Sequence, residues 1–431
     1  MSRDSSRKHK VAGADLMMVE MRYIGVAGPA RHLDIADVRS TLSSLADAGT
    51  HTRIGLQPKA GTVRWEASRI LDPRTVREVD AASSPAELEA AIMQVRRREG
   101  PRLPLEVTIC GEYLFVDVAH GLSDGKLFVD LVEALHLNAV EGLSAWSTTP
   151  ESRHVLPRAL FRWYALHPGK LKESLAAVKA LRELKSLSAA EAGPAPAVEH
   201  DDVVPWRPSP AVVIAQSSAT TEAAVSAWRK ANSPSAGAAT VALWLVRRAF
   251  DEVGLESVPG VTVAVNCRRY LPENTVLNGN FAIGLNVAVS GERSIEPQAK
   301  TLNTVYASGL PLALMGVVSA QLRLGKSLTP AVPDTVSRHP KVVMMYSDLG
   351  RPPSWARVPW SKNEGMQFAG LLDPAGPDAV TVMCGVVGRE RTYSVSFHDN
   401  VFDRGRIEEA LALVVSDPLA LLGSVPANDP G

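Results

Sequence analysis

His120 and Asp124 lie four residues apart in the stretch Ala-His-Gly-Leu-Ser-Asp-Gly, residues 119–125. A free histidine has a pKa near ~6.5, so its imidazole is largely neutral at pH 7 and can accept a proton. The stretch lies between an apolar strand-like run and a helical pattern, which would hold both side chains in place. General-base help of this kind accelerates a reaction by about 10²–10⁴-fold. The pattern therefore predicts that His120 aims at a hydroxyl or amine that accepts an acyl group.

The elements on either side of this stretch are predicted from hydrophobic periodicity. Two apolar runs, 105–110 and 113–118, are separated only by Gly111 and Glu112, which is typical of a tight antiparallel hairpin. The segment 126–137 has apolar residues at helical spacing. A carboxylate just before such a helix also suits the helix dipole, which is a structural reason for its presence. We therefore expect the order strand, turn, helix around the two polar side chains.

The remaining periodic segments divide the chain into two halves, each with helices and strands. Helices are predicted over residues 35–45, 86–98, 171–187, 222–231, 238–253 and 407–415. Strands are predicted over residues 211–215, 261–266, 282–289, 342–346, 379–387 and 393–397. An Ala-, Pro- and Glu-rich stretch is the best linker candidate. We predict an α+β protein that divides into a flexible tail (1–14), an N-terminal lobe (15–188), a linker (189–205) and a C-terminal lobe (206–425).

Composition narrows the classes of partner and compartment. The chain of 431 residues has 46 Lys and Arg against 46 Asp and Glu. This balance argues against nucleic acid or an anionic membrane as the main partner, leaves room for a local patch, and favours a small, mostly uncharged substrate. The three cysteines do not resemble a disulfide framework, and the histidines lack the spacing of zinc ligands. No apolar run reaches the roughly 20 residues that span a bilayer, so we expect a cytoplasmic protein without a transmembrane segment.

The same stretch also fits a different class of enzyme. Residues 121–125 match Gly-x-Ser-x-Gly, the nucleophile elbow of α/β-hydrolases, with Ser123 as nucleophile and His398 completing a triad. Against this interpretation, the preceding hairpin is predicted to be antiparallel, whereas hydrolase elbows follow a strand of a parallel sheet. No His-Gly-Gly segment for an oxyanion hole precedes it either. A serine hydrolase therefore stays as an alternative to the general-base enzyme.

The His-x-x-x-Asp-Gly pattern at residues 120–125 resembles the motif of the condensation-domain superfamily. That group also contains acyltransferases similar to chloramphenicol acetyltransferase, to wax-ester synthase and to the plant enzymes that use acyl-CoA. The family motif begins with two histidines, and Ala119 stands where the first would be. This departure favours general acyl transfer over peptide formation. It also leaves a catalytically silent binding relative as a further alternative.

Three further segments resemble the family in the expected order. The segment 265–269 is similar to the one whose arginine pairs with the motif aspartate, which implies that Arg268, rather than Arg269, binds Asp124. The segment 278–281 resembles the glycine-containing turn before a strand that lines the tunnel. The segment 346–350 resembles the family's Ser-Asn-x-Gly stretch near the active site, although Asp348 stands in place of the usual asparagine.

The resemblance implies two chloramphenicol-acetyltransferase-like lobes that form a V-shaped pseudo-dimer around a central tunnel. His120 and Asp124 would be the catalytic residues, with Asp124 acting mainly as a scaffold. The resemblance further implies structural support from Gly125 and Arg268 and substrate contacts from Ser347 and Asn280. It implies no metal and no bound cofactor, because the acyl donor is a co-substrate: acyl-CoA or a phosphopantetheine thioester. The partners would be a small-molecule acceptor and an acyl- or peptidyl-carrier protein in trans, in specialised-metabolite or lipid biosynthesis.

Overall fold

The computed structural model describes residues 7–80, 84–141, 145–191, 202–288, 295–326, 332–361 and 367–423. Its strands are β1 (Arg7–Lys10), β2 (Arg22–Gly28), β3 (Leu56–Gln57), β4 (Arg64–Ala67), β5 (Val76–Val79), β6 (Leu105–Cys110), β7 (Tyr113–Ala119), β8 (Val203–Pro205), β9 (Pro210–Gln216), β10 (Ser257–Asn266), β11 (Ala282–Val287), β12 (Thr335–Ser337), β13 (Val342–Asp348), β14 (Gln367–Leu372), β15 (Ala379–Val387) and β16 (Glu390–His398).

The α-helices of the described residues are α1 (Gly13–Met17), α2 (Ile35–Ala48), α3 (Pro85–Arg97), α4 (Gly125–Glu141), α5 (Ala145–Thr148), α6 (Val155–Leu160), α7 (Gly169–Glu191), α8 (Ala219–Asn232), α9 (Ala238–Glu252), α10 (Glu296–Ser308), α11 (Leu310–Arg323), α12 (Arg404–Ser416) and α13 (Pro418–Gly423). Helix α6 runs on into a π-helical turn, Phe161–Ala165. Side-chain caps fix the two predicted starts near the N-terminus: Asp34 accepts from Ala36 and Asp37 of α2, and Ser84 accepts from Glu87 of α3.

Five strands form the sheet of the N-terminal lobe, in the order β14-β2-β7-β6-β5. The predicted hairpin is present, because β6 and β7 pair antiparallel with Leu105 opposite Val118. Helix α4 lies against this sheet through Phe128 and Leu131, both of which are buried. Each fully buried side chain of this size contributes roughly 1.5–3 kcal/mol of hydrophobic free energy. This packing fixes the end of β7 against the start of α4, where the candidate stretch lies.

The C-terminal lobe contains a six-stranded mixed sheet in the order β11-β10-β13-β15-β16-β9. Strands β10, β13 and β15 are parallel neighbours, whereas β15 and β16 form an antiparallel pair. The apolar helices α9 and α12 pack in one large buried cluster with this sheet. All six strands predicted for this half are present with bounds close to those expected, except that β11 ends at Val287, and residues 289–294 lie outside the described part.

Strand β14 crosses from the C-terminal half of the chain into the sheet of the N-terminal lobe. It pairs antiparallel with β2, with Phe368 opposite Ala27 and Leu371 opposite Ile24. Phe368 is fully buried and lies against Phe128, with ring centroids 5.7 Å apart. The C-terminal lobe predicted at 206–425 is therefore not self-contained, since one of its strands completes the other lobe. Such an exchange fixes the two lobes to each other.

Residues 7–14, expected in a flexible tail, are instead built into the fold. Strand β1 pairs with β4, and Val11 behind it is buried. All four residues of β1 are basic, so a search for apolar runs does not find this strand. Residues 1–6 lie outside the described part of the chain.

The linker predicted at 189–205 also differs at both of its ends. Helix α7 continues to Glu191, and β8 pairs antiparallel with β12. Residues 192–201 lie outside the described part.

Helices α10 and α11 were not predicted from the sequence. They meet at Gly309 with a bend of 60° and pack in the buried cluster of the C-terminal lobe. Within the described ranges, each helix alone is too short or too polar to cross a bilayer, and only this bent pair passes a test of joint length and apolarity.

Candidate active site

A cavity of about 310 Å³ lies where the two lobes meet, with walls from β2, α4, β10, β11, β13 and β14. It is lined by all six residues that the sequence analysis assigned to the site: His120, Asp124, Gly125, Arg268, Asn280 and Ser347. Apolar side chains form much of the remaining wall, including Met18, Tyr23, Phe128, Ile283, Met345, Leu349, Phe368 and Met383. The described fold therefore brings residues from both lobes to the wall of one cavity.

His120 is placed by the end of β7 and the turn that follows it. Its amide donates to the carbonyl of Met21 at 2.8 Å, and Leu122 donates to Ala119 at 2.9 Å. Helix α4 then begins at Gly125, where a Cβ atom would come within 2.6 Å of Leu349 Cδ2. Glycine at this position lets the helix start approach β13 closely. The backbone of the loop is thus held at both ends.

The imidazole of His120 lies edge-on to the ring of Tyr23, with centroids 5.1 Å apart. Its Nδ1 atom is buried and, within the described residues, has no hydrogen-bond partner. Burial lowers the pKa of His120 below 6.5, and the backbone groups of the loop, the negative charge of Asp124 and the Asn280 side chain only partly oppose this effect. The ring is therefore neutral at pH 7, which is the state that accepts a proton.

Asp124 is engaged on both carboxylate oxygens. Its Oδ2 accepts from Arg268 Nη1 at 2.7 Å and from the amide of Phe281 at 2.9 Å, while Oδ1 accepts from the amide of Lys126 at 3.1 Å. Burial by itself would raise the pKa of Asp124, but the charge and hydrogen bonds of Arg268 outweigh it and hold the pKa below its usual range. Asp124 is thus a charged structural anchor.

Arg268 is the arginine that the resemblance implied as the partner of Asp124. Its remaining donors go to the carbonyls of Leu277 at 3.3 Å and Gly279 at 2.6 Å. Arg269, the other candidate, instead lies over the ring of Tyr306 at 4.7 Å. Arg268 therefore ties the start of α4 to the 277–281 loop of the other lobe.

Asn280 holds the His120 loop rather than pointing its amide at open space. Its Nδ2 donates to the carbonyl of His120 at 2.8 Å, to that of Gly121 at 3.2 Å and to Asp15 Oδ1 at 3.3 Å. The backbone amide of Asn280 also donates to Asp15 Oδ1, at 2.8 Å. The sequence predicts that Asn280 contacts the substrate. In the structure its amide donors instead hold the loop that carries His120.

A buried charge network behind Asn280 was missed by the sequence analysis. Arg53 lies between Asp15, at 3.0 Å, and Glu151, at 2.9 Å, and its side chain is only 2% exposed. Glu151 Oε1 also accepts the amides of Asn278 at 2.7 Å and Gly279 at 3.1 Å. The network thus supports the loop that carries Asn280. Its one sequence signal is a single carboxylate, Asp15, at the start of the predicted N-terminal lobe and within an apolar stretch.

A second ion-pair network borders the cavity on the side of β13. Asp348, which replaces the family's asparagine, lies 2.6 Å from Arg391, and Arg391 also pairs with Glu222 at 3.4 Å. Asp348 Oδ1 accepts the amide of Gly350 at 2.6 Å. Both charges of the Asp348–Arg391 pair are neutralised within the wall. Ser347, next to Asp348, lines the cavity.

The residues of the hydrolase alternative are not brought together. Ser123 is fully buried, does not line the cavity, and donates its hydroxyl to the carbonyl of Asn278. His398 lies at the end of β16, where its Nδ1 accepts the amide of Ser209 at 3.1 Å and its ring contacts Trp206. The β6–β7 hairpin before Ser123 is antiparallel, as expected. This geometry contradicts a Ser123–His398 triad.

Metal ions and cysteine thiols are two other classes of reactive group. In the described part of the chain, no cluster of three or more His, Cys, Asp or Glu side chains is arranged to hold a metal ion. Cys110, Cys267 and Cys384 are buried and form no disulfide, and burial raises the pKa of Cys267 to about 12. A thiol with so high a pKa is a poor nucleophile at pH 7.

Comparison with known proteins gives no match by sequence to any protein-family model or curated protein. Solved structures do match. Trichothecene 15-O-acetyltransferase TRI3 from Fusarium sporotrichioides is 12% identical with a TM-score of 0.63, over 98% of this chain and 97% of that one. The condensation domain of the monacolin K polyketide synthase MokA is 13% identical with a TM-score of 0.59, over 97% of both chains. Polyketide synthase associated protein 5 from Mycobacterium tuberculosis is 14% identical with a TM-score of 0.56, over 95% and 98%.

These matches extend over nearly the whole chain and over nearly the whole of each matched structure, so they concern the complete two-lobed architecture. The α+β class and the lobed arrangement expected from the His-x-x-x-Asp-Gly resemblance are confirmed at this level. At 10–16% identity the comparison concerns the fold. The chain has the fold of the condensation-domain and chloramphenicol-acetyltransferase-like superfamily.

Proposed function

We propose that this protein transfers an acyl group from a thioester donor to an amine or hydroxyl acceptor, with His120 as the general base. The observation that carries the proposal is the placement of a neutral imidazole in the wall of a cavity between two lobes. Asn280 holds the carbonyl of His120 from the other lobe, and the Asp124–Arg268 pair fixes the start of the helix that follows. A loop held in this way keeps the imidazole in one position, as general-base catalysis requires.

The reaction follows from the position of the ring. Because Nδ1 is enclosed, we assign Nε2 to the acceptor. The acceptor attacks the thioester carbonyl carbon, so that a C–O or C–N bond forms while its proton passes to His120. The C–S bond then breaks, and the imidazolium returns the proton to the departing thiolate. The products are an ester or amide and a free thiol, and His120 ends neutral.

The negative charge on the carbonyl oxygen needs a donor in the transition state. Ser347 lines the same cavity from β13 and is the side chain that we assign to this role. Removing one such donor typically slows a reaction by about 10²–10³-fold. The Ser347→Ala variant is therefore expected to lower kcat with little change in KM.

The walls of the cavity favour an acceptor and an acyl group without net charge. The charged lining groups are each neutralised by a partner: Asp124 by Arg268, and Asp348 by Arg391. Lys126 is paired with Asp130 in the same way. An additional charge on a substrate would enter a low-dielectric space without a counter-ion. Acyl-CoA or a carrier-bound phosphopantetheine thioester would be the donor, in specialised-metabolite or lipid assembly.

A catalytically silent binding protein is the remaining alternative, since Ala119 replaces the first motif histidine. The test is to mix acetyl- and longer acyl-CoA or acyl-pantetheine thioesters with a panel of amines and alcohols and to detect products by mass spectrometry. Wild type should form a product that His120→Ala does not, while His32→Ala, an exposed histidine variant, should match wild type. Absence of any product with wild type, or equal product with His120→Ala, contradicts the proposal.

A further inference from the structure

The surface formed by α6, the π-helical turn after it and the start of α7 is unusually basic. Residues 152–182 contain seven Lys and Arg but one acidic residue, Glu173, whereas the whole chain has 46 basic and 46 acidic residues. Glu173 is already paired with Lys170. Among the described residues, Arg153, Arg158 and Arg162 are exposed and have no carboxylate partner. This surface therefore carries an uncompensated positive charge.

The same surface exposes large apolar side chains. Phe161 is 63% exposed, Leu166 59%, Leu171 59% and Leu175 66%. Leu171 and Leu175 are four residues apart on α7, so these two exposed side chains are neighbours on the helix surface. Apolar side chains that protrude singly among cations contribute nothing to the stability of the protein in water.

A hollow of about 570 Å³ joins the two kinds of side chain. Its wall contains Arg153, Arg158 and Arg162 together with Phe161 and Leu166. The opposite wall is the loop after β10, through residues 271–275. Helices α6 and α7 both pack on the cluster of the C-terminal lobe, and the π-helical turn contacts α7 through Tyr164 Oη and Ser174 Oγ, 3.0 Å apart. The hollow is lined by other residues than the catalytic cavity.

We propose that this basic and apolar surface docks the protein on an anionic phospholipid bilayer. Arginines that lack a carboxylate partner are complementary to lipid phosphates, and the phenylalanine and leucines would insert at the acyl boundary. A bound nucleic acid would leave the exposed leucines in contact with water. A bound acidic protein would need a surface that is complementary to all four exposed apolar side chains. The proposal concerns attachment to the membrane surface and is independent of the acyl-transfer proposal.

The face of the other lobe around β4 offers a matched control. It also exposes two apolar side chains, Val63 at 53% and Ile70 at 82%, and two arginines, Arg64 and Arg69. However, residues 63–72 contain two basic and two acidic residues and so have no net charge, although Asp72 is paired with Arg74 just beyond them. If exposure alone caused binding, both faces would contribute equally.

The test is co-sedimentation of the full chain with phosphatidylcholine vesicles, with and without about 30 mol % phosphatidylglycerol. Wild type should bind only the anionic vesicles, and binding should weaken from about 0.1 M to about 0.5 M salt. Arg158→Glu with Arg162→Glu should lower the partition coefficient at least about tenfold, as should Phe161→Ser with Leu175→Ser. Arg64→Glu with Arg69→Glu, and Val63→Ser with Ile70→Ser, should leave it unchanged.

Three results would overturn the proposal. Wild type that stays in solution with anionic vesicles at low salt excludes bilayer docking and leaves an acidic protein as the occupant. Binding that survives the substitutions on α6 and α7 places the contact elsewhere. An equal loss in the variants of the β4 face shows that binding is not specific to this surface. Because all substituted side chains are exposed, circular dichroism should show every variant folded.

Discussion

Arg268 of one lobe reaches across 144 residues of sequence to Asp124 of the other, with Nη1 2.7 Å from Oδ2. The pair lies at the wall of the cavity directly behind the loop that carries His120. Because each partner also bonds the backbone of a neighbouring loop, the pair joins the start of α4 to the 277–281 segment. A contact that holds the histidine and the two lobes together couples stability to rate.

Removal of either Asp124 or Arg268 should lower both the stability of the protein and the rate of the reaction. Asp124→Ala and Arg268→Ala each leave a charge with little access to water, which costs on the order of 3–5 kcal/mol in a fully buried site. Since the side chains are 11% and 18% exposed, we expect about 3 kcal/mol. Urea unfolding of both variants measures this loss. Arg269→Ala, whose guanidinium lies on Tyr306, is the control and should lose much less. A fully stable Asp124→Ala protein would contradict this account of the pair.

Asn280→Ala should slow acyl transfer without removing any group that touches the reacting atoms. The variant frees the carbonyls of His120 and Gly121, and small displacements of a catalytic group cost up to about 10²-fold in rate. We expect kcat to fall while the KM values stay close to wild type. Asn303→Ala, which removes an exposed amide that bonds only Ser235, should leave both parameters unchanged. An unaltered kcat for Asn280→Ala would show that the His120 loop keeps its position without the Asn280 side chain.

Stability should fall as the pH is lowered from 6.5 towards 4, in part because of His9. Burial, assisted by the positive charge of Arg53, lowers the pKa of His9 from 6.5 to about 4 in the folded protein. In this pH range His9 is protonated in the unfolded chain but stays neutral in the folded protein. Lowering the pH therefore stabilises the unfolded state by about 2–3 kcal/mol relative to the folded one. His9→Gln should therefore flatten the dependence of the unfolding free energy on pH in this window. An equally steep dependence in the variant would exclude His9 as its source.

Ser123→Ala decides between the two enzyme classes that share the 121–125 stretch. In the structure the Ser123 hydroxyl bonds the Asn278 carbonyl outside the cavity, so its loss removes a donor from a buried carbonyl and should cost about 1–3 kcal/mol of stability. The rate of acyl transfer should be retained. If the variant loses all activity while its melting curve is unchanged, Ser123 is the nucleophile and the general-base account fails.

The sequence was sufficient to predict the elements that depend on local patterns. The β6–β7 hairpin follows from two apolar runs joined by two residues, and the helix starts at Asp34 and Ser84 follow from capping side chains. The His120 loop is local in the same sense, because its strand, turn and helix are consecutive. Its partner Arg268 came only from resemblance, since nothing local relates two residues so far apart.

The contacts that the sequence could not predict are those between residues far apart in the chain. Strand β14 has an ordinary strand pattern, but no local feature says that it pairs with β2 in the other lobe. In the Asp15–Arg53–Glu151 network, Arg53 lies 38 positions from Asp15 and 98 positions from Glu151. Asp15 also binds Asn280, from which it is separated by 265 positions. Each of these charges alone is typical of a solvated surface. Only their burial against one another identifies them as the support of the site.

The most direct test of His120 as the base is the pH dependence of kcat/KM for wild type and His120→Ala, using the donor and acceptor pair that the panel identifies. Because burial lowers the pKa of His120, the wild-type rate should be constant around pH 7 and should fall in proportion to the fraction of neutral imidazole at an inflection below pH 6.5. The variant should be slower by about 10²–10⁴-fold and should lack that inflection. A variant that transfers the acyl group at the wild-type rate, with the same inflection, would contradict the central claim.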